Sequence, residues 1–383
     1  MVSKIKSITL QNFLSFGGTP VTLELRDLNV LMGPNGAGKT NLIEAIHLLH
    51  NTPNDLAAFL RQGGGSHEWI WKGQINAKEK RARVETFLDL DLDSEDGLRA
   101  FPLHYYLEFT QSGFTFEITD ERVEAAVILE GYDRPSLFFG YENGHPLIGP
   151  FNDDDPLSHI QFRLPREDID PQQSILAQRI ARNQLSPLDE YFASIRLFRE
   201  WEFGRFATQR LPGQADHPND FLAEDGSNLG LVINKLQVDH HRAWVKIMNY
   251  MQRFCDPVSD IVVKVEAGSV QIFLKENYLD KLTPASRLSD GTLRFLSMLV
   301  VLLHPSVPPL VVIEEPELGL HPDAVSLMAE VLQEASNRTQ LIITTHSDLL
   351  VSAIDDPENI IVCEKHKGAT TFNRLKDYCG GAI

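Results

Sequence analysis

The distribution of apolar residues predicts short strands followed by a helix over the first fifty residues. Alternation over residues 4–10 predicts one strand, and residues 22–25 predict a second. The continuous apolar run 28–32 predicts a buried strand, which a glycine-rich turn follows at once. Apolar positions at helical spacing from Asn41 to His50 predict a buried helix, which Pro53 terminates.

The segment between about residues 84 and 150 predicts an antiparallel meander. Its alternating runs cover residues 84–90, 105–110 and 114–119. The last two runs flank Gln-Ser-Gly at 111–113, which is typical of a hairpin turn. We expect the meander to end near residues 149–150.

Residues 165–256 change to helical periodicity without strand alternation. Prolines interrupt this segment at positions 165, 171, 187, 212 and 218. Because proline breaks helices and a coiled coil needs uninterrupted heptads, the segment predicts short helices in a compact lid instead of a long coiled-coil arm.

The last third of the chain returns to strands that alternate with helices. Such alternation is typical of a parallel sheet with helical crossovers. The sequence therefore predicts an α/β fold with a mixed, largely parallel core sheet, an antiparallel β meander and a helical lid insert. We expect an N-terminal part (1–164), the insert (165–256) and a C-terminal part (257–383). The strands predicted in this last third are 261–265, 270–274, 310–313 and 341–344, and the helices are 293–303 and 324–336.

Composition and charge limit the class of protein. The chain has 383 residues, and a hydrophobic content of 43% excludes a wholly disordered protein. Its 35 Lys and Arg against 53 Asp and Glu leave a formal net charge of −18, which opposes non-specific attraction to nucleic acid. No apolar run reaches the roughly 20 residues of a membrane-spanning helix, and the 3 widely spaced cysteines indicate neither a disulfide framework nor a zinc site. We expect a cytoplasmic protein without a membrane partner.

Residues 33–40 carry the sequence GPNGAGKT between the predicted strand 28–32 and the first predicted helix. Glycines let the backbone N–H groups of such a loop point at phosphate oxygens, and the helix N-terminus adds a favourable dipole. The Lys39 ammonium would contact the β- and γ-phosphates, and the Thr40 hydroxyl would bind Mg²⁺. The motif therefore predicts ATP and Mg²⁺ as ligands.

Polar residues also end the two later apolar strands. Glu314 and Glu315 follow the strand 310–313, and His346 follows the strand 341–344. We expect Glu314 to orient Mg²⁺ and Glu315 to accept a proton from the attacking water, with His346 on a neighbouring strand. The chemistry that this set predicts is ATP hydrolysis.

Residues 288–292 carry the sequence LSDGT directly before a predicted helix. The Ser289 hydroxyl and the Gly291 N–H are placed to face a phosphate at that helix start. A serine at this position is equally typical of an ordinary N-cap.

Taken in order, these four motifs resemble those of ABC-type ATPase heads of the SMC/RecF branch. Within it the chain is similar to stand-alone AAA family ATPases related to overcoming-lysogenisation-defect proteins. The resemblance rests on residues 8–16 (ITLQNFLSF), the phosphate loop and residues 288–346. The middle, from about 90 to 285, matches only in general layout.

The resemblance implies nucleotide sites that are completed between two copies of the chain. One copy would supply the phosphate loop with Glu314, Glu315 and His346, and the other would supply Ser289 and Gly291. ATP binding would close this homodimer, and hydrolysis would open it. The implied catalytic residues are Lys39, Glu315 and His346, the metal ligands are Thr40 and Glu314, and the nucleotide contacts are Ser15, Asn35, Gly36, Ala37, Gly38, Lys39, Thr40, Asn41, Ser289 and Gly291.

The chain departs from the family pattern at three positions. Leu14 replaces a frequent basic residue, which removes one phosphate contact. Glu314 replaces the usual aspartate at the metal position. Asp290 replaces the middle glycine of the signature, and we expect its carboxylate to point away from ATP. The best candidate for the glutamine loop is Gln161.

Two classes of function remain open for such a head. The first is an ATPase that regulates a separately encoded protein effector, as in anti-phage defence. The alternative is a RecF-like ATPase that binds DNA in repair or recombination through arginines of the insert. The net charge favours the protein partner. The arginines in question are Arg163, Arg166, Arg179, Arg182, Arg196, Arg199, Arg205 and Arg210.

Overall fold

A computed structural model describes most of the chain as two compact units. The described residues are 3–73, 80–92, 99–113, 115–128, 133–142, 144–149, 162–178, 180, 182–199, 201 and 204–379. The first unit comprises residues 1–26, 33–195 and 361–383, and the second comprises residues 27–32 and 196–360.

Strands and helices alternate along the described residues, and short 3-10 turns connect some of them. The strands are β1 (Lys4–Gln11), β2 (Val21–Glu24), β3 (Leu28–Met32), β4 (Ala82–Leu92), β5 (Arg99–Ser112), β6 (Thr115–Ala125), β7 (Leu137–Glu142), β8 (His145–Ile148), β9 (Phe162–Arg163), β10 (Arg196–Phe198), β11 (Gly213–Gln214), β12 (Val258–Glu266), β13 (Ser269–Glu276), β14 (Thr283–Pro284), β15 (Leu310–Glu314), β16 (Gln340–Thr344), β17 (Ile360–His366) and β18 (Ala369–Arg374). The helices are α1 (Lys39–Asn51), α2 (Leu56–Gln62), α3 (Ser66–Trp69), α4 (Ile175–Gln178), α5 (Arg182–Ser194), α6 (Leu229–Asp239), α7 (His241–Phe254), α8 (Asp290–Leu302), α9 (Pro322–Ala335), α10 (Asp348–Ser352) and α11 (Leu375–Cys379).

An antiparallel sheet forms the first unit, in the strand order β2-β1-β4-β5-β6-β7-β8-β9. The predicted hairpin is confirmed, because β5 and β6 pair from Ser112–Thr115 at the turn to Leu103–Ala125 at the far end. The meander extends beyond the predicted end at 149–150, since β9 pairs with β8. A second hairpin, β17–β18, belongs to the same unit.

Helix α5 runs through Pro187, which we had expected to end a helix. The helix continues because the residues after the proline are buried: Leu188 is 1% exposed and Phe192 is 0% exposed, and the Phe192 ring lies 5.3 Å from the Tyr105 ring. Burial of two such side chains contributes about 3–6 kcal/mol, which offsets the roughly 3 kcal/mol cost of an internal proline.

A buried carboxylate links the meander to the segment that follows it. Glu121 on β6 accepts hydrogen bonds from the Tyr105 hydroxyl (2.8 Å), from the Ser174 hydroxyl (2.6 Å) and from the Ile175 N–H at the start of α4 (2.9 Å). Glu121 is 2% exposed, and this burial raises its pKa to about 7 despite the three donors. The carboxyl group therefore fixes the start of α4 against the sheet.

The second unit contains a parallel sheet in the order β10-β15-β16-β3. Its strands β15 and β16 are almost fully buried, as the continuous apolar runs at 310–313 and 341–344 predicted. Helices α8 and α9 follow the predicted periodicity, and residues 293–302 of α8 are all buried. The predicted hairpin at 261–274 is confirmed as β12–β13.

Residues 165–256 carry helices α4 to α7 together with the short strands β10 and β11. Helices α4 and α5 belong to the first unit, and α6 and α7 belong to the second. Their role as a separate lid stays a prediction. None of the helices in the described ranges combines the length and the apolar composition needed to cross a bilayer.

Replacing Glu121 by Gln should change how stability depends on pH. The folded-state pKa of about 7 lies above the ordinary glutamate value of 4.5, so proton uptake favours the folded state and this contribution is lost as the pH rises through 7. Relative to Glu121→Gln, the wild type should lose about 3 kcal/mol of unfolding free energy between pH 4.5 and 8. Urea unfolding of both proteins across this range measures the difference.

The matched control for this experiment is Glu117→Gln, which removes a carboxylate on the same strand outside the buried network. Its stability should run parallel to that of the wild type. A parallel curve for Glu121→Gln as well would contradict the assignment of a raised pKa to this group.

Candidate nucleotide site

The glycine-rich loop opens at Gly33, the residue that follows the end of β3, and closes at Lys39, where α1 begins. Gly38 precedes the helix with φ 107°, a conformation that L side chains rarely adopt. A Cβ there would lie 2.2 Å from the Thr370 hydroxyl, so only glycine fits this position. The close approach of Thr370 therefore requires a glycine directly before the first turn of α1.

Two hydroxyl groups brace the loop from β18 and from the turn after β1. Thr370 donates its hydroxyl to the Ala37 carbonyl (2.8 Å), and its hydroxyl oxygen lies 2.7 Å from that of Ser15. The Thr370 N–H also donates to the Ser15 carbonyl (2.8 Å). We predicted that Ser15 contacts the nucleotide. In the structure Ser15 is buried, and its hydroxyl contacts that of Thr370.

The Lys39 side chain folds back over its own loop. Its ammonium donates to the Gly33 carbonyl (2.7 Å) and to the Pro34 carbonyl (3.2 Å), and the residue is 6% exposed. In contrast, Asn35, Gly36 and Thr40 are exposed. The loop thus exposes Thr40, the predicted metal ligand, while the Lys39 ammonium is bound to carbonyl groups of the loop itself.

A groove of about 450 Å³ opens beside this loop within the first unit. The residues that line the groove include Leu14, Ser15, Asn41 and Trp71. Three lysines also line it: Lys72, which pairs with Glu68, and the exposed Lys365 and Lys367 of the β17–β18 hairpin. The sequence did not indicate these three cations, because Lys365 and Lys367 lie more than 320 positions after the loop and Lys72 belongs to none of the recognised motifs.

In the second unit, three parallel strands end at a common edge. Glu314 pairs in register with Thr344, and Thr344 pairs with Leu31 one residue before the end of β3. The carboxyl ends of β15, β16 and β3 therefore lie side by side. Glu314 and Glu315 stand at the end of β15, and Thr345 and His346 stand at the end of β16.

Glu315 adopts a left-handed backbone conformation with φ 47°. Its N–H donates to the Thr344 carbonyl (2.9 Å), and its carboxylate lies 3.6 Å from Nε2 of His346. Both side chains are about two-fifths exposed, at 38% and 41%. The structure therefore brings the two residues together at the sheet edge, in a strained backbone of the kind that clusters at functional sites.

Glu317, two residues further on, holds the loop after β15 against the end of β16. Its carboxylate accepts a hydrogen bond from the Thr345 hydroxyl (2.5 Å) and one from the His346 N–H (3.2 Å). This residue fixes the backbone from which His346 projects. This contact was not apparent from the sequence, since nothing in the spacing of Glu317 distinguishes it from a solvated turn residue.

Arg199, at the end of β10, is a second residue whose position the sequence did not reveal. Its Nε lies 3.7 Å from a carboxylate oxygen of Glu314, and both side chains are about one-fifth exposed. The predicted metal ligand therefore has a cationic neighbour on the adjacent parallel strand.

Ser289 caps helix α8. Its hydroxyl oxygen accepts a hydrogen bond from the Thr292 N–H (3.0 Å), so in this structure Ser289 acts as an ordinary N-cap. Gly291 lies against the loop after β15, and a Cβ at this position would come within 2.7 Å of the Gly319 carbonyl. The first turn of α8 and the loop after Glu315 are thus packed backbone to backbone.

The Asp290 carboxylate is held by Arg210. Its Oδ1 accepts hydrogen bonds from the Arg210 guanidinium (2.5 Å) and from the Gly204 N–H (3.0 Å). These two donors hold the pKa of Asp290 below its usual value, so the side chain stays ionised and its charge is compensated. The same guanidinium donates to the Leu288 carbonyl, which fixes the residues before the signature.

The predicted site residues therefore form two groups. The loop residues with Ser15 and Asn41 belong to the first unit, and Glu314, Glu315, His346, Ser289 and Gly291 belong to the second. Gln161 lies outside the described residues. Across the described ranges, no three His, Cys, Asp or Glu side chains are grouped as a metal site. The exposed Thr40 hydroxyl of the first unit and the partly exposed Glu314 carboxylate of the second unit are each oxygen groups of the kind that bind Mg²⁺.

Heads of SMC proteins are among the solved structures that share this fold. An SMC head bound to the C-winged helix domain of ScpA aligns with a TM-score of 0.54 and 16% identity, over 98% of this chain and 99% of that one. An SMC head with an extended coiled coil, derived from Pyrococcus furiosus and bound to the C-terminal domain of ScpA, aligns with a TM-score of 0.52 and 14% identity, over 99% and 98%. At these identities the likeness concerns the fold.

Sequence relatives match over shorter stretches. An uncharacterized protein of Methanocaldococcus jannaschii is 46% identical over 52 residues, which are 14% of this chain and 6% of the relative. Structural maintenance of chromosomes protein 1 of Arabidopsis thaliana is 28% identical over 120 residues, 31% of this chain and 9% of the relative. The matched stretch is thus less than a tenth of either relative.

The family profile matches most of the chain. The family described as "AAA domain, putative AbiEii toxin, Type IV TA system" matches residues 28–352, which include the phosphate loop, both glutamates and the signature. The chain belongs to this family, and it has the fold of an SMC-like ABC-type ATPase head.

Proposed function

We propose that the protein binds and hydrolyses ATP as an SMC-like head. The observation that carries this proposal is the parallel edge at which β15, β16 and β3 end, because β3 continues directly into the phosphate loop. Ligands of parallel α/β sheets bind at the carboxyl ends of the strands. The carboxylates of Glu314 and Glu315 stand at the edge from which the loop starts.

The residues of the loop would bind the polyphosphate. Backbone N–H groups of residues 36–40 donate to phosphate oxygens, and the Lys39 ammonium exchanges the Gly33 and Pro34 carbonyls for the β- and γ-phosphates. Mg²⁺, held by Thr40 and Glu314, would neutralise charge on the transferred phosphate. The lysines of the neighbouring groove add positive charge where Leu14 removes a basic contact.

Glu315 would act as general base on the attacking water. Its partly exposed carboxylate would reach a water molecule, and Nε2 of His346 lies 3.6 Å from it. A positioned base of this kind accelerates such a step by about 100- to 10,000-fold.

The proposal extends to a second copy of the chain. Ser289 and the Gly291 N–H of one copy would contact the γ-phosphate bound by the other, so that ATP closes a homodimer. The pairing of Asp290 with Arg210 supports this arrangement, since the guanidinium offsets the negative charge that would repel a phosphate at the signature.

A protein effector is the partner that we propose for this cycle. Two solved SMC heads with this fold are bound to domains of ScpA, a separate chain, and the family description names a toxin–antitoxin system, which favours regulation of an effector in anti-phage defence. The alternative is DNA binding in repair. Arg199 and Arg210 are engaged with Glu314 and Asp290, so two of the proposed DNA-contacting arginines serve the site instead.

Lys39→Ala should weaken ATP binding at least about 10-fold, since a charge-assisted contact contributes about 1.5–3 kcal/mol. Titration with a fluorescent ATP analogue measures the affinity. Lys281→Ala, at an exposed turn, is the control and should bind like the wild type. Unchanged affinity of Lys39→Ala would refute the loop assignment.

Glu315→Gln should bind ATP with normal affinity and hydrolyse it at least about 100-fold more slowly, because the amide cannot accept the proton. Phosphate release measures the rate, and light scattering with and without Mg-ATP shows whether trapped ATP raises the mass from one chain to two. The exposed Asp355→Asn serves as the control. Normal turnover of Glu315→Gln would exclude this residue as the base.

Ser289→Arg, introduced into Glu315→Gln, should leave ATP binding intact and prevent the ATP-dependent increase in mass. The bulky side chain would fill the space that the γ-phosphate of the other copy needs. Ser286→Arg, three residues earlier and exposed, should still pair. Pairing of the Ser289 variant would count against a shared site.

A further inference from the structure

We propose that Arg294 of α8 is a positioning residue that holds the backbone of Glu315, so that the first turn of the signature helix controls where the Glu315 carboxylate stands. The inference rests on the proposed function, because it concerns how the proposed base is placed. Its structural part, the control of the Glu315 backbone, is measurable without ATP.

The Arg294 guanidinium is buried at the end of β15. The residue is 4% exposed, and its Nη2 donates to the Glu314 carbonyl (3.2 Å) and to the Glu315 carbonyl. The guanidinium carbon Cζ lies over the Trp201 ring, 5.4 Å from its centroid. Hydrogen bonds from a charged donor are about twice as strong as neutral ones, so Arg294 gives the carbonyl groups of the two glutamates a strong hydrogen-bond donor.

The backbone that Arg294 holds is the strained one. Glu315 has φ 47°, which a non-glycine residue keeps only when its surroundings hold it there. Its N–H is fixed by the Thr344 carbonyl and its carbonyl by Arg294, so both peptide groups of the residue are held. Because side-chain direction follows φ and ψ, these two bonds set where the carboxylate points.

Arg294 connects this backbone to the signature. It lies one helical turn after Asp290, on the same helix that Ser289 caps. Gly291 packs against the Gly319 carbonyl in the loop after Glu315, so a shift of the first turn of α8 also displaces this loop. A phosphate that engages Ser289 and Gly291 would therefore act on Glu315 of the same chain through Arg294.

The surroundings of Arg294 keep its charge. Burial lowers its pKa to about 10, and the nearby carboxylates of Glu317 and Glu315 oppose that shift. The side chain is thus cationic at neutral pH. Removing it leaves the Glu314 and Glu315 carbonyls without this donor.

The test uses Arg294→Met, which keeps the bulk without the donor, and Arg294→Lys, which keeps a donor of different reach. With Mg-ATP we expect kcat to fall at least about 10-fold for the Met variant and less for the Lys variant, while KM and ATP affinity stay within about 2-fold of the wild type. Arg287→Met, at an exposed position before the signature, is the control. A parallel loss of kcat and ATP affinity, or an unchanged kcat, would overturn the positioning role.

Hydrogen exchange of residues 310–320 separates this inference from the proposed function. The Glu315 N–H should exchange faster in Arg294→Met than in the wild type and in Arg287→Met, with Arg294→Lys intermediate. Faster exchange in a protein whose wild type shows no ATP hydrolysis would mean that the proposed function fails and the positioning stands. Unchanged exchange in both Arg294 variants would refute the positioning itself. If the Met variant does not fold, the Lys variant decides by the same two readouts.

Discussion

The proposed chemistry depends on the parallel register of β3, β15 and β16. Parallel pairing aligns the carboxyl ends of these strands, so Leu31, Thr344 and Glu314 stand at one level. The phosphate loop continues from β3, and the acidic and imidazole side chains continue from the other two strands. Buried apolar strands keep this register, because a slip would carry polar ends into the core.

The site combines a strained backbone with charges that neighbouring residues compensate. Glu315 is held in a left-handed conformation by Thr344 and Arg294. Position 38 needs glycine because the Thr370 and Ser15 hydroxyls occupy the space that a side chain would fill. Asp290 is compensated by Arg210, and Glu314 has Arg199 beside it. The residues with the predicted chemistry are thus placed by partners that carry no recognisable motif.

The departures from the family pattern acquire a physical meaning in this arrangement. Asp290 replaces a glycine without leaving a bare charge, since Arg210 lies within hydrogen-bonding distance. Leu14 lines a groove to which Lys365 and Lys367 contribute positive charge from the β17–β18 hairpin. In both cases a residue distant in sequence places positive charge near the departing position, which a motif comparison does not detect.

The sequence by itself predicted the parallel core, the hairpins β5–β6 and β12–β13, the phosphate loop and the paired glutamates. These features depend on periodicity and on spacing along the chain. It did not reveal that α5 runs through Pro187, since the burial of Leu188 and Phe192 decides that helix. Only the tertiary structure showed Arg199, Arg210, Arg294, Glu317 and the groove lysines beside the site. The arginines and Glu317 contact residues of other elements, and arginines on a helix or strand have the same local pattern whether they face solvent or hold the backbone at the end of a strand.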